Sequence, residues 1–190
     1  MIHLSNFQFD PAWVVDDHHH WSNWQRFINI AVERTRQLVE DFGEAQKTVL
    51  DLGCGWAFLS LPIRSIGWKY VGIESRPMAT ARNICPTIQE RQITWDSPLG
   101  GYDQAVDIVV ADGMLQPDWE LSDRPRGPAN WPVTWIQENH LITIRRWVDF
   151  ARCGVSVLFN RGPYMQNLID LISEQWPAAI VRDNVLTISK

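Results

Sequence analysis

The stretch Val49-Leu50-Asp51-Leu52-Gly53-Cys54-Gly55-Trp56-Ala57 decides how this chain is read. An apolar, partly β-branched run climbs out of a charged segment, ends on an acid and breaks into two glycines spaced one apart. The expected order is a strand over 48–52, a tight turn, and a helix over 58–66 that Gly67 closes. Glycine lets such a turn adopt dihedrals closed to other residues, and lets backbone meet a ligand with no Cβ between them. A second expected strand, 69–73, ends on Glu74, which lies 19 residues beyond Gly55. One helix and one strand fill that distance, and an acid so placed reaches the hydroxyls of a ribose. The pattern points to nucleoside binding.

Asp51-Leu52-Gly53-Cys54-Gly55 followed by Val71-Gly72-Ile73-Glu74 resembles the first two motifs of the Rossmann-like (class I) S-adenosylmethionine (SAM) dependent methyltransferases. The rival reading is a dinucleotide fold with the fingerprint G-x-G-x-x-G. Counted from Gly53, its third glycine falls on Phe58. That glycine allows close helix–strand packing under a pyrophosphate. SAM has no phosphate and needs no such cradle, and an acid at the strand end suits its ammonium group. The resemblance implies a three-layer α/β domain with a mostly parallel seven-stranded sheet and an antiparallel last strand. It implies SAM as cofactor, held by Asp51, Gly53, Cys54, Gly55 and Trp56 of the loop and by Glu74 and Ser75. It nominates Asp96 for the adenine, with the adjacent Ser97 or Trp95 packing nearby, and Asp112 for the place where the methyl group is transferred.

Composition sets the outer limits. At 190 residues with 45% hydrophobic and 21% charged side chains, the chain has the make-up of one ordinary globular domain. No apolar run approaches a membrane span and the N-terminus has no signal-like core, so a cytoplasmic protein is expected. Cys54, Cys85 and Cys153 lie far apart, which argues against a disulfide framework or a zinc site. A net charge of −5 argues against a basic surface for gripping long nucleic acid. Eleven tryptophans suggest that several line a pocket as well as the core.

Outward from the glycine turn, residues 1–21 read as an irregular N-terminal arm placed to act as a lid, and residues 22–190 as a single domain. Three consecutive side chains, His18-His19-His20, do not converge on one ion, and no metal site is expected. Ser22-Asn23-Trp24-Gln25 has the form of a capping box. Trp24, Phe27, Ile28, Ala31, Thr35, Leu38, Val39 and Phe42 then form one apolar stripe before Gly43. A short helix is expected from Arg76 to Ile84, a third strand over 93–95, and a buried parallel strand over 105–111 leading into Asp112. A helix over 134–152, a strand over 155–159, a helix to Gln175 and a closing hairpin of 179–182 with 185–189 complete the chain.

The candidate acceptor-binding region is the loop 116–133. Pro117, Pro125, Pro128 and Pro132 exclude a long helix, and Arg124, Arg126 and Trp131 suit a planar or anionic substrate by stacking and charge. Trp24 and Tyr164 are further substrate-side candidates. For the chemistry, Asp112, His140 or a histidine of the His18-His19-His20 run is the candidate base should the acceptor be a hydroxyl. The expected activity is in-line transfer of a methyl group to a small or planar acceptor. The alternatives are an RNA methyltransferase, such as one acting on a cap guanine, and a non-catalytic subunit with a SAM fold. Ser22-Asn23-Trp24-Gln25 is similar to the Asn-Asn-Trp segment of cap guanine methyltransferases.

Overall fold

A computed structural model describes residues 7–15, 24–92, 99, 105–112, 133–158 and 163–190, with side-chain surroundings for all of these but 133–138 and 163–167. Seven strands form one sheet: β1 (Thr48–Leu52), β2 (Lys69–Glu74), β3 (Gln89–Glu90), β4 (Ile108–Val110), β5 (Gly154–Leu158), β6 (Ile180–Arg182) and β7 (Val185–Ser189). Their order is β3-β2-β1-β4-β5-β7-β6. β1 runs parallel to β2 and β4, β4 runs parallel to β5, and β7 is antiparallel to β5 and β6. The expected mixed sheet with an antiparallel last strand is the one observed. Among the described residues five α-helices accompany it: α1 (Trp24–Phe42), α2 (Ser60–Ser65), α3 (Ala79–Ile84), α4 (Val133–Phe150) and α5 (Pro163–Gln175).

The chain lays β2 and β3 on one side of β1, then returns to place β4 on the other. Ligands of open α/β sheets bind outside the carboxyl ends of strands at such a reversal. Here that places the crevice at the tips of β1 and β4. Continuous apolar runs explain why these strands are central: Val49, Leu50, Val109 and Val110 are all fully buried, as a strand covered on both faces must be. One core lies between the sheet and the helices α4 and α5, through Leu50, Val109, Ile144, Trp147 and Leu168. The other lies under α1 and α2, through Val49, Ile28, Leu38, Ile63 and Trp68.

Local departures from expectation have physical causes. The strand beside β2 is Gln89–Glu90, with Ile73 opposite Gln89; the segment 93–95 read as that strand lies outside the described residues. β3 is an exposed two-residue edge held by backbone pairing, so it carries no apolar pattern to read. Helix α2 starts at Ser60 rather than at Phe58, because Ala57 stands at φ +58 and the residues before Ser60 are turns. Gln25 Nε2 donates to Asn29 Oδ1 at 3.2 Å, and Ser22, the other end of the expected capping box, lies outside the described residues. The closing hairpin turns on Asp183 and Asn184 at φ +48 and +68, the two left-handed positions of a type I′ turn.

The hairpin is tied to α1 by a buried hydroxyl. Thr187 Oγ1 donates to Asp41 Oδ2 at 2.6 Å, and Arg182 pairs with the other oxygen of Asp41. Thr187→Val keeps the shape and removes the donor, leaving a carboxylate oxygen short in a largely buried place. A loss of about 2 kcal/mol is expected in urea unfolding at unchanged slope. A change under about 0.5 kcal/mol would show that Arg182 alone holds Asp41.

Candidate functional site

The strand register brings the acids of the motifs together. Leu52 lies opposite Ile73 and Asp51 opposite Val110, so Glu74, one step beyond Ile73, and Asp112, two steps beyond Val110, flank Gly53 of the glycine turn on either side. Neighbouring strands are about 4.8 Å apart, which sets the two acids about two strand spacings apart across the sheet tips. The turn itself is built by Gly53 at φ +66 and Gly55 at φ +52. A Cβ placed on Gly55 would meet nothing within 4 Å, so bare backbone faces open space there. That open face is the room a ligand lying over the loop requires.

Glu74 closes the rim of the turn. Its Oε2 accepts the Gly55 amide at 3.0 Å, and its Oε1 accepts the Ser75 amide at 2.8 Å and the Ser75 hydroxyl at 3.0 Å. The Cys54 amide donates to Ile73 O at 3.0 Å, fixing the turn to β2. Each carboxylate oxygen has two acceptor sites, so Oε2 keeps one for a ribose hydroxyl.

Asp51 lies beneath the turn. It is 5% exposed, and Tyr70 donates to its Oδ2 at 2.6 Å. Burial pushes its pKa up to about 7; the Tyr70 hydrogen bond and the nearby Arg34 act in the other direction. The same burial pushes the Tyr70 hydroxyl well above its ordinary value. Gly72 makes this packing possible, because a Cβ there would stand 2.9 Å from the Tyr70 ring and 3.0 Å from Cys54 Sγ. Burial also raises the Cys54 thiol pKa, so Cys54 is a packing group rather than a nucleophile.

Aromatic side chains form a wall beside the turn. Trp56 packs on Phe27 with ring centroids 5.5 Å apart, and its Nε1 donates to Met78 Sδ at 2.7 Å. Phe27 stacks on Phe58, with centroids 6.1 Å apart and planes 1° from parallel. Phe58 therefore fills the place where a dinucleotide loop has its third glycine. Phe9 of the arm lies 4.8 Å from Trp24. The arm is pinned to α3: the Val15 amide donates to Thr80 Oγ1 and Asn83 Nδ2 donates to Trp13 O.

Asp112 is held by groups that sequence reasoning missed. Arg34, 4% exposed on α1, donates Nε to Asp112 Oδ2 at 3.0 Å and an Nη to Oδ1 at 2.9 Å. The Leu158 amide also donates to Oδ1 at 3.0 Å. One sequence signal was available: Arg34 stands in the apolar stripe, three after Ala31 and four before Leu38. His140 is placed differently. It is 3% exposed on α4, on the face that carries the core residues Ile144 and Trp147, and burial lowers its pKa to about 4. It is neutral at pH 7.

Of the remaining candidates, Asp96, Ser97, Arg124, Arg126, Trp131 and the His18-His19-His20 run lie outside the described residues. Tyr164 belongs to α5, and its side chain is likewise outside the description. Among the described residues no group of three His, Cys, Asp or Glu side chains is set to hold a metal ion. Among them, too, no helix is long and apolar enough to cross a membrane.

Known structures with bound SAM match this architecture. Magnesium protoporphyrin IX methyltransferase (ChlM) from Synechocystis PCC 6803, solved with SAM, aligns with a TM-score of 0.55 over 94% of this chain and 88% of its own, at 13% identity. This chain has the class I SAM-dependent methyltransferase fold. The same fold is shared with DesVI of Streptomyces venezuelae, at a TM-score of 0.50 and 14% identity over 90% of this chain and 69% of that one. It is also shared with the 16S rRNA methyltransferase RsmC of T. thermophilus, solved with AdoMet and guanosine, at a TM-score of 0.50 and 18% identity. That alignment covers 98% of this chain and 44% of RsmC. In sequence, the ribosomal protein L11 methyltransferase of Campylobacter concisus is 25% identical over 123 residues, 63% of this chain. The chain spans about two fifths of that relative, 41% of its length. No family model matches the chain.

Proposed function

We propose that this chain is a SAM-dependent methyltransferase acting on a small or planar acceptor. The observation that carries the cofactor is the open backbone face of Gly55 with Glu74 at its rim, 3.0 Å from the Gly55 amide. Gly53, Cys54, Gly55 and Trp56 supply the bed, and Glu74 with Ser75 takes the ribose hydroxyls. Asp51 provides negative charge below the turn for the ligand's ammonium. Asp96 and Ser97 are proposed for the adenine. SAM bound there supplies an activated methyl group, and the chain's own task is to align the acceptor and keep water out. The arm, pinned across α3 and the aromatic wall, serves that exclusion as a lid.

A planar acceptor is favoured by the wall of Trp24, Phe27 and Trp56, which stand half-buried beside the turn rather than sealed in the core. Trp131, Arg124, Arg126 and Tyr164 are proposed to complete the acceptor side. Asp112 is assigned to the reaction end of the site, as a fixed hydrogen-bond acceptor for the donor end of the cofactor. His140, turned to the core, serves packing. The nucleobase of an RNA is the second reading, favoured by the same aromatic wall. The two separate by salt, because RNA binding weakens steeply as ionic strength rises while a neutral small acceptor does not respond.

The test begins with calorimetric titration of SAM. Absence of heat and of thermal stabilisation at millimolar ligand sinks the enzyme reading and leaves a SAM-fold subunit without cofactor. Labelled SAM offered against nucleoside, RNA and small-metabolite pools then identifies the acceptor.

A further inference from the structure

We propose that Arg34 is a positioning residue for the donor end of the SAM site, through the fork by which it holds Asp112 against β5. The proposal rests on the cofactor reading above. A ligand whose ribose sits at Glu74, on the tip of β2, and which crosses the glycine turn of β1 must reach its far end at the tip of β4. Asp112 stands there. It belongs to no strand, and three donors set where its carboxylate points: Arg34 Nε, an Arg34 Nη and the Leu158 amide, at 3.0, 2.9 and 3.0 Å. Four acceptor sites less three leave one, on Oδ2, with a fixed direction.

The third arm of Arg34 sets the fork itself. Its other Nη donates to Ser156 Oγ at 2.9 Å, and Ser156 lies opposite Val110 in the sheet register. The Ser156 hydroxyl lies 3.4 Å from Thr187 Oγ1, which donates to Asp41 near the end of α1. α1 thus grips the sheet at two points, Arg34 and Asp41, with Ser156 and Thr187 between them. A guanidinium suits this post because its planar fork meets two carboxylate oxygens and a hydroxyl at once. An ammonium is a point charge and cannot. A merely structural ion pair does not need to stand where the ligand ends; this one joins α1 to the tip of β4.

The test compares SAM with adenosine, which carries the ribose and adenine but not the sulfonium or the amino-acid tail. Calorimetric titrations of both ligands are made on the unaltered chain, Arg34→Lys, Asp112→Asn and the double variant. Arg34→Lys is expected to weaken SAM about tenfold and adenosine less than twofold, by loss of one charge-assisted contact's geometry. Asp112→Asn should give the same split, and the double variant should be no weaker than the worse single one, since both act through one contact. Equal weakening of both ligands, or no change in either, overturns the proposal. Failure of the unaltered chain to bind SAM overturns the cofactor reading and this one with it, so the two failures are distinct. Should Arg34→Lys not fold, Ser156→Ala removes one arm of the fork alone. It is expected to weaken SAM about threefold with adenosine unchanged, and an unchanged ratio overturns the proposal.

Discussion

Glu74→Ala is expected to raise the Kd for SAM by about ten- to a hundredfold. The acceptor site left on Oε2 would take a hydrogen bond from a ribose hydroxyl, and a bond to a charged group contributes about 1.5–3 kcal/mol. At 1.4 kcal/mol per tenfold, one such bond amounts to a factor of about ten to a hundred. The same substitution frees the Gly55 and Ser75 amides that the carboxylate now engages, so the rim of the turn also loses its tie. Stability should change little, by less than about 1 kcal/mol, because Glu74 is only half-buried at a strand end. Glu74→Gln keeps the size and one acceptor oxygen and is expected to fall between, at about fivefold. Calorimetry on the three proteins checks the series. A Kd within threefold of the unaltered chain for Glu74→Ala would place the ribose elsewhere.

Asp51 should make both stability and cofactor affinity depend on pH, in opposite directions. Its folded pKa is raised from 3.8 to about 7, chiefly by burial. A raised carboxyl pKa means the folded state favours the protonated form. Its contribution to stability is therefore fully present below about pH 4 and is lost as pH rises through about 7. At 1.36 kcal/mol per pH unit, that window amounts to about 4 kcal/mol. Asp51→Asn removes the titration, so its stability relative to the unaltered chain should rise by about that amount between pH 4 and pH 7. Chemical denaturation at a series of pH values measures it, and parallel curves for the two proteins would refute the buried-acid assignment. SAM affinity should run the other way, rising as Asp51 ionises through about pH 7 and staying low and flat in Asp51→Asn. Tyr70→Phe removes a hydrogen bond that favours the ionised form, so the midpoint of that rise should move to higher pH.

Local patterns made much of this structure readable. β1 over Thr48–Leu52 and β7 over Val185–Ser189 fall where alternation and β-branching place them. α1 follows its apolar stripe to Phe42. The glycine turn and the acid that ends β2 were legible because their constraints are nearly local: φ is positive at Gly53 and Gly55, and Glu74 needs one helix and one strand of chain to return to them. β3 was not legible, since Gln89 and Glu90 owe their strand to a neighbour's backbone and not to their side chains. The start of α2 was misplaced because a left-handed Ala57 has no signature in sequence.

The sequence by itself determined the glycine turn, the acid beside it and the mixed sheet, because each follows from residues close along the chain or from a motif they form. Only the tertiary structure decided what Asp112 and His140 are. Asp112 meets Arg34 across 78 positions, and no spacing rule links a helix arginine to an acid that far away. His140 looked like a candidate base until its helix turned it to the core, where burial keeps it uncharged. Charge and burial are set by whatever the folded chain brings alongside. That is why the turn could be read from nine residues, while the residue that fixes Asp112 at the other end of the site needed the whole sheet.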